Sequence, residues 1–363
     1  MCNFAASKQV FMSKYFNKKR LWIISVLAIF LIIAIGCIVV YNRVYDQVYG
    51  ANLSISSDEP VFVFIPTGSD FEDVCSILKA SGLQNMESFR SIAERMNYTR
   101  SVRAGRYRLL DRMSNIELVR MLRSGRQAPV NVIFNNIRVN EQLAGTVSAF
   151  IEADSASIIA LLNDDAFLLE HYSRNSQTIK AMCIPNTYEF FWNTSAKGFL
   201  DRMLREYERF WSESRLEKAQ KANLTPLQVS ILASIIEEET QKDSEKPRMA
   251  GVYINRLNRG MLLQADPTLK FALNDFTIRR VLNRHKEIDS PYNTYKYTGL
   301  PPGPICCPSI ASIDAVLNFE QHQYLFFCAR DDFSGYHSFA RTLQEHNRNA
   351  QAYHRALNER RVF

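Results

Sequence analysis

Residues Thr225-Pro226-Leu227-Gln228-Val229-Ser230-Ile231-Leu232-Ala233-Ser234-Ile235-Ile236-Glu237-Glu238-Glu239-Thr240 open as a helix and close on three adjacent carboxylates. Thr225 supplies an N-cap oxygen, Pro226 suits the first turn, and Gln228 completes a capping box. With Ile231 set at zero and about 100° per residue, Leu232, Ile235 and Ile236 fall near 100°, 40° and 140°. On the same wheel Glu239 falls near 80°, inside the apolar stripe, with Glu238 near −20° at its edge and Glu237 near 240° on the opposite face. One carboxylate is therefore expected to face the interior while its neighbours stay in water. A carboxyl held against apolar groups has its charged form disfavoured, so its pKa rises and it can act as a general acid near neutral pH. The competing reading is a structural ion pair, and only the rest of the chain can weigh against it.

At 363 residues the chain can hold two or three domains, and its 47% hydrophobic content is that of a globular protein. The net charge of +7 is mostly local, because residues 1–45 contain Lys8, Lys14, Lys18, Lys19, Arg20 and Arg43 and no acid. The near-neutral remainder argues against nucleic acid as a partner. Cys2, Cys37, Cys75, Cys183, Cys306, Cys307 and Cys328 have neither metal-ligand nor disulfide-framework spacing, and the histidines are scattered, so no metal site and no cofactor are expected.

Leu21 to Tyr41 carry no charge, and at about 1.5 Å per residue they span about 30 Å of hydrocarbon. Trp22 and Tyr41 stand near the ends as interfacial aromatics do, and Lys14, Lys18, Lys19 and Arg20 precede the span. This predicts residues 1–20 as a cytoplasmic N-terminus, 21–41 as a transmembrane helix in the lipid bilayer, and the rest as exported. Residues 42–59 are polar and suit a stalk. Val61–Ile65 reads as a strand, Ser69–Ala80 and Met86–Met96 as helices, Gly105–Leu110 as a returning strand, and Asn115–Leu122 as a helix closed by Gly125. Together, residues 60–127 form a small α+β module. From 128 to 363 a mixed α+β domain is expected. It begins with a strand at Pro129–Phe134, a helix over Val139–Asp165 and an irregular aromatic passage at Cys183–Trp192. A long helix follows over Gly198–Ala222, then the opening helix and another over Pro247–Leu257. A polar turn spans Leu263–Thr268, an ordered Pro/Gly/Tyr loop covers 290–308, and a hairpin is built from Tyr324–Ala329 and Tyr336–Phe339. The fold class is therefore α+β, with a transmembrane helix, a small module and a larger domain.

Five segments in order resemble the endolytic murein transglycosylases, the YceG-like family. They are Ala233–Thr240, Val252-Tyr253-Ile254-Asn255-Arg256-Leu257, Leu263-Gln264-Ala265-Asp266-Pro267-Thr268, Tyr292-Asn293-Thr294-Tyr295 with Gly299–Ile305, and His337-Ser338-Phe339 with His346-Asn347. The resemblance implies a LysM-like small module and a catalytic domain. It also implies cleavage of the β-1,4 bond between N-acetylmuramic acid and N-acetylglucosamine in nascent peptidoglycan glycan strands, leaving 1,6-anhydro ends. On this reading the enzyme is a lyase of the cytoplasmic (inner) membrane, single-pass, with its catalytic domain periplasmic and cell-wall synthases as partners. The family's catalytic glutamate, directly before the threonine, corresponds to Glu239.

One carboxylate suffices for such a reaction. A glycosidase uses two, but here the sugar's own C6 hydroxyl is the nucleophile, so no water needs activating. Asp266 is then a substrate contact or a turn cap rather than a second acid. Gln264, Thr268, Asn293, Thr294 and Tyr295 offer hydrogen bonds to sugar hydroxyls and acetamido groups, Tyr188, Tyr292 and Phe339 offer stacking faces, and His337 is a contact or a hairpin support. Two positions depart from the family pattern: Asn186 where Asp is common, and Glu238 between the two family glutamates where Lys is. The latter would push Glu239 further up. The alternative function is a non-catalytic peptidoglycan-binding adaptor for synthases, and a third is a hydrolase giving reducing ends.

Overall fold

The computed structural model describes residues 3–56 and 59–359, giving the backbone alone for 3–19 and 21. Met1, Cys2, residues 57–58 and 360–363 lie outside the described residues, and with them parts of the expected N-terminus and stalk. The chain divides into two compact units, Met1–Ala128 and Pro129–Phe363.

In the first unit, α1 (Asn3–Tyr49) contains the charge-free run, and its side chains from Trp22 to Tyr41 are nearly all exposed. Among the described residues it is the helix long and apolar enough to cross a membrane. The helix runs on to Tyr49, so the stretch read as a stalk is helical over its first half. After it, the Asn52 amide donates to Asn115 Oδ1 (2.6 Å) and Asn85 O (2.8 Å), while Leu53 is buried. A buried amide with partners on two helices pins the chain there, which polar composition alone does not reveal.

The module follows as β1 (Val61–Ile65), α2 (Phe71–Ala80), α3 (Met86–Arg95), β2 (Gly105–Leu109) and α4 (Asn115–Ser124). Asp70 with Asp73, and Ser114 with Glu117, form capping boxes that start α2 and α4, and Gly125 at φ 69° closes α4. β1 and β2 pair antiparallel with Val63 opposite Tyr107, and alternation turns Val63, Ile65, Tyr107 and Leu109 into the core.

The second unit opens with β3 (Val130–Ile133), α5 (Asn140–Ser148), α6 (Ser155–Leu162) and α7 (Asp165–Tyr172). The single helix expected over 139–165 is broken because Asp154 and Asp164 sit inside the apolar pattern as N-caps, accepting from the Ser157 and Phe167 amides. β4 (Thr187–Phe190) pairs antiparallel with β3, Tyr188 opposite Val132, so the passage read as irregular contains a strand. The helix expected over 198–222 is two, α8 (Ala196–Phe210) and α9 (Glu213–Lys221), parted where Trp211 turns into the core.

Then come α10 (Pro226–Glu239), α11 (Lys246–Asn258), α12 (Asp266–Ala272), α13 (Ile310–Leu317), the antiparallel β5 (Phe326–Ala329) and β6 (His337–Ala340), and α14 (Leu343–Glu359). The capping box of Thr225 and Gln228 forms. The stripe does not: every residue from Val229 to Ile236 is buried, because α9, α11, α12 and α13 all pack on α10. Ser230 and Ser234 survive inside by donating to Pro226 O (3.1 Å) and Ile231 O (2.7 Å). Ser234 Oγ also accepts the Ile305 N–H (3.0 Å), stitching the Pro/Gly-rich loop to the central helix.

α11 carries a close approach. A Cβ on Gly251 would lie 2.3 Å from Glu320 O and 2.7 Å from His322 Nε2. Gly251→Ala should therefore lower the thermal midpoint of the full-length protein by several degrees, on the order of 1–3 kcal/mol of overpacking. Circular dichroism melts check this, and an unchanged midpoint would mean that the 320–322 turn yields freely.

Candidate active site

Glu239 ends α10, and Thr240 leaves it in an extended conformation. The carboxyl stands at the floor of a cleft of about 420 Å³ that is also lined by Arg256, Gln264, Asp266, Lys286, Tyr295 and His346. Glu239 Oε1 accepts from the Tyr253 hydroxyl at 2.8 Å. Tyr253 is only 1% exposed, fixed on α11 with its ring edge-on to Phe327 (5.7 Å, 84°). Burial pushes the Glu239 carboxyl up from its ordinary value to about 7. The Tyr253 bond opposes this, the negative charge of Asp266 adds to it, and Lys270 and Arg256 pull the other way. A carboxyl in this state can give a proton and take one back near neutral pH.

The other two glutamates are not left in water. Glu238 makes a bidentate pair with Arg138, both bonds at 2.9 Å. Glu237 accepts from Ser309 Oγ (2.5 Å) and from Ser312 Oγ, and meets Lys246 at 3.5 Å. The expectation that Glu238 raises the Glu239 pKa is thereby corrected, since Arg138 neutralises it and Asp266 is the carboxylate that acts.

Asp266 begins α12 and accepts from the Tyr295 hydroxyl at 2.5 Å. Gln264 holds a left-handed backbone (φ 52°), its N–H donating to Thr294 O at 3.0 Å, with its side chain exposed in the cleft. That conformation is uncommon for a residue with a Cβ, and the neighbours over-determine it. Thr294 Oγ1 accepts from the Ala265 amide (3.0 Å) and shares a bond with Thr268 Oγ1 (2.9 Å), which in turn donates to Ala265 O (2.8 Å).

Of the residues expected to grip sugar, the fold thus brings Gln264, Asp266 and Tyr295 to the carboxyl. Thr268, Asn293 and Thr294 are 2% exposed or less, so they shape the turn and offer no surface. Tyr292 packs against Phe271 (4.7 Å). Tyr188 lies in β4, stacks on Phe134 (5.8 Å) and donates to Ile184 O (2.6 Å). His337 Nδ1 pairs with Glu245 at 3.0 Å, and Phe339 packs on Tyr324 and Phe327. None of these last four lines the cleft.

Residues given no role in the sequence reading complete the walls. Arg256, 7% exposed, donates to the carbonyls of Leu325 (2.6 Å) and Leu263 (2.8 Å). His346 stacks on Phe326 (5.5 Å), and burial holds its pKa below the usual imidazole value, so it is neutral at pH 7. The signal was in the letters for Tyr253 and Arg256, both on the face of a helix already expected over 247–257. Nothing in the sequence placed Lys286 there.

A larger hollow of about 560 Å³ beside Phe191, Arg202 and Arg205 has only one carboxylate, the exposed Glu189, and so lacks an acid shielded from water. Among the described residues no group of three His, Cys, Asp or Glu could hold a metal ion.

The family model described as the YceG-like family matches residues 63–352. An endolytic murein transglycosylase of Bacillus subtilis is 29% identical over 323 residues, covering 84% of this chain and 88% of that protein. One of Streptococcus pneumoniae is 27% identical over 360 residues, covering 91% of this chain but just 64% of its relative. The crystal structure of a yceG-like protein from Listeria monocytogenes aligns with a TM-score of 0.53 and 28% identity, over 80% of this chain and 99% of that one.

The raised pKa has a cost in stability. Between 4.5, the carboxyl's ordinary value, and about 7, the folded carboxyl holds a proton that the unfolded chain has released. Stability is therefore lost as pH rises through that window. Glu239→Gln, which carries no charge to bury, should melt above the parent protein at pH 8, by an amount on the order of 1–3 kcal/mol. The gap should shrink as pH falls to 5, and melts across that range would refute this if the gap stayed constant.

Proposed function

Because the chain belongs to the YceG-like family, we propose that it is a membrane-anchored endolytic transglycosylase that cleaves the muramoyl–glucosaminyl bond of nascent murein and so ends glycan elongation. The observation that carries this is Glu239, a carboxyl pushed to about 7 in a polar cleft and held on one oxygen by Tyr253. With Oε1 accepting from Tyr253, Oε2 is left to work on the substrate.

The protonated carboxyl gives its proton to the glycosidic oxygen. The bond from the muramoyl C1 to that oxygen breaks, and the glucosaminyl residue leaves with a free C4 hydroxyl. The muramoyl C6 oxygen then bonds to C1 while its proton passes to the Glu239 carboxylate, which restores the acid. Atoms balance without water. The intramolecular hydroxyl stands at an effective concentration that bulk water cannot match. Tyr253 stabilises the carboxylate between the two transfers. Gln264, Asp266 and Tyr295 hold the sugars on either side.

The exposed apolar surface of α1 supports an anchor, and the cationic residues that precede its charge-free run support a cytoplasmic N-terminus, with the chain from residue 42 onward on the far side of the inner membrane. The strand-helix-helix-strand order of residues 60–127 supports a LysM-like module. Cell-wall synthases are the partners beside which such an enzyme works.

With full-length protein in detergent and purified glycan strands, mass spectrometry should find 1,6-anhydro ends. Products heavier by water, about 18 Da, would indicate a hydrolase instead. Glu239→Gln should lower the rate by a factor of about 10² to 10⁴. If wild type binds strands yet forms no new ends, the adaptor reading replaces this one. Tyr253→Phe removes the donor that favours the Glu239 carboxylate, so the alkaline limb of the kcat/KM profile, near pH 7 in wild type, should move upward while kcat falls. A profile that stays in place would mean that Tyr253 only packs.

A further inference from the structure

Two cations, Arg256 and Lys270, bear on Glu239, a third, Lys286, shares its cleft, and their commitments differ. Arg256 is spent on the carbonyls of Leu325, Leu263 and Leu262. Lys270 acts on Glu239 through its charge alone and does not line the cleft. Lys286 lines the cleft, with its ammonium 4.7 Å over the Tyr295 ring. The two carboxylates on this floor are already engaged, Glu239 by Tyr253 and Asp266 by Tyr295. Among the described residues no carboxylate lies within ion-pairing distance of Lys286.

Its position is built rather than incidental. Asn293, 0% exposed, donates through Nδ2 to Lys286 O (2.9 Å) and Ile288 O (2.8 Å), while its Oδ1 accepts the Tyr295 N–H (3.0 Å). One buried amide therefore fixes both the root of the lysine and the ring beneath its ammonium. A lysine on a surface gains nothing from such anchoring. A lysine in a binding cleft does, because the backbone that carries it is already ordered when an anion arrives.

We propose that Lys286 is the specificity residue that reads a carboxylate borne on the muramoyl C3 side chain of the strand. This rests on the transglycosylase reading. Glucosaminyl and muramoyl rings share the C6 hydroxyl and the acetamido group, and the muramoyl ring alone carries a lactyl ether in place of the C3 hydroxyl. Where a stem peptide is attached, its own carboxylates supply the anion; where it has been removed, the lactyl carboxylate does. The chemistry read is the same, an ammonium donating charge-assisted hydrogen bonds to a carboxylate over an aromatic face.

The test is equilibrium binding by full-length protein in detergent carrying Glu239→Gln, so that nothing turns over. Three ligands are compared: glycan strands with stem peptides, strands stripped by an amidase, and stripped strands whose lactyl carboxylates are converted to methylamides. Adding Lys286→Met should weaken binding roughly tenfold for carboxylate-bearing strands and leave the neutral strand's affinity unmoved, whereas Lys286→Arg should restore most of the loss. Loss confined to peptide-bearing strands assigns the stem as the source, loss confined to stripped strands assigns the lactyl group, and loss on both means that either carboxylate is read. Equal loss on the neutral strand, or no loss on any, overturns the proposal. Failure of the transglycosylase reading shows separately, as wild type that forms no anhydro ends.

Discussion

The second unit is organised by the need to keep one carboxyl at the end of a helix with no water-facing side. α10 is buried from Val229 to Ile236, so nothing along it except its last turn can carry charge. At that turn the carbonyl end of the helix adds a partial negative charge to a site already short of water, and both effects favour the protonated acid. Left there, the carboxyl would be a plain defect. The Tyr253 hydroxyl makes it tolerable by lying within a hydrogen bond of one oxygen while leaving the other free. α11 must pack closely enough to deliver that hydroxyl, which is where the bare face of Gly251 against Glu320 enters.

Three glutamates in a row then become three different chemical groups. Glu237 meets Ser309 and Ser312 at the start of α13 and Lys246 at the start of α11, Glu238 is matched to Arg138, and Glu239 has only a neutral donor. A carboxylate gripped by a bidentate guanidinium has both oxygens occupied. The asymmetry comes from what each side chain reaches: Glu239 is the one whose burial is opposed at contact by a neutral donor alone.

Much of this was legible. Caps and breakers marked several helices: Asp70, Asn85, Ser114 and Thr225 each place an oxygen where the first turn of α2, α3, α4 and α10 needs one, and Pro247 and Gly260 bracket α11. Amphipathic geometry pointed to Glu239 for a reason that only half holds: the residue does face an interior, but the helix has no wet side for Glu237 and Glu238 to occupy. Where apolar runs continued through internal caps, at Asp154 and Asp164, and through the core-seeking Trp211, the periodicity alone joined helices that the fold separates. The cleft walls were less legible still. Lys286 and His346 come to the cleft of Glu239 only through long-range packing, and no spacing in the chain encodes that.

The polar residues that invited a sugar-binding reading show why composition misleads at such a site. Thr268, Asn293 and Thr294 are of the type that binds hydroxyls, and they do bind polar groups, namely the backbone of two loops that leave no regular ladder to satisfy it. A Pro/Gly-rich segment has few internal partners of its own, so each buried carbonyl and amide must find a side chain. Those side chains are consumed in the process. What they leave exposed, Gln264 in a left-handed conformation, Asp266 under the Tyr295 hydroxyl and Lys286 on the Tyr295 ring, is held in place because the neighbouring polar groups have been buried. The binding capacity of this cleft thus rests with the accessible neighbours of the polar residues that the fold has buried.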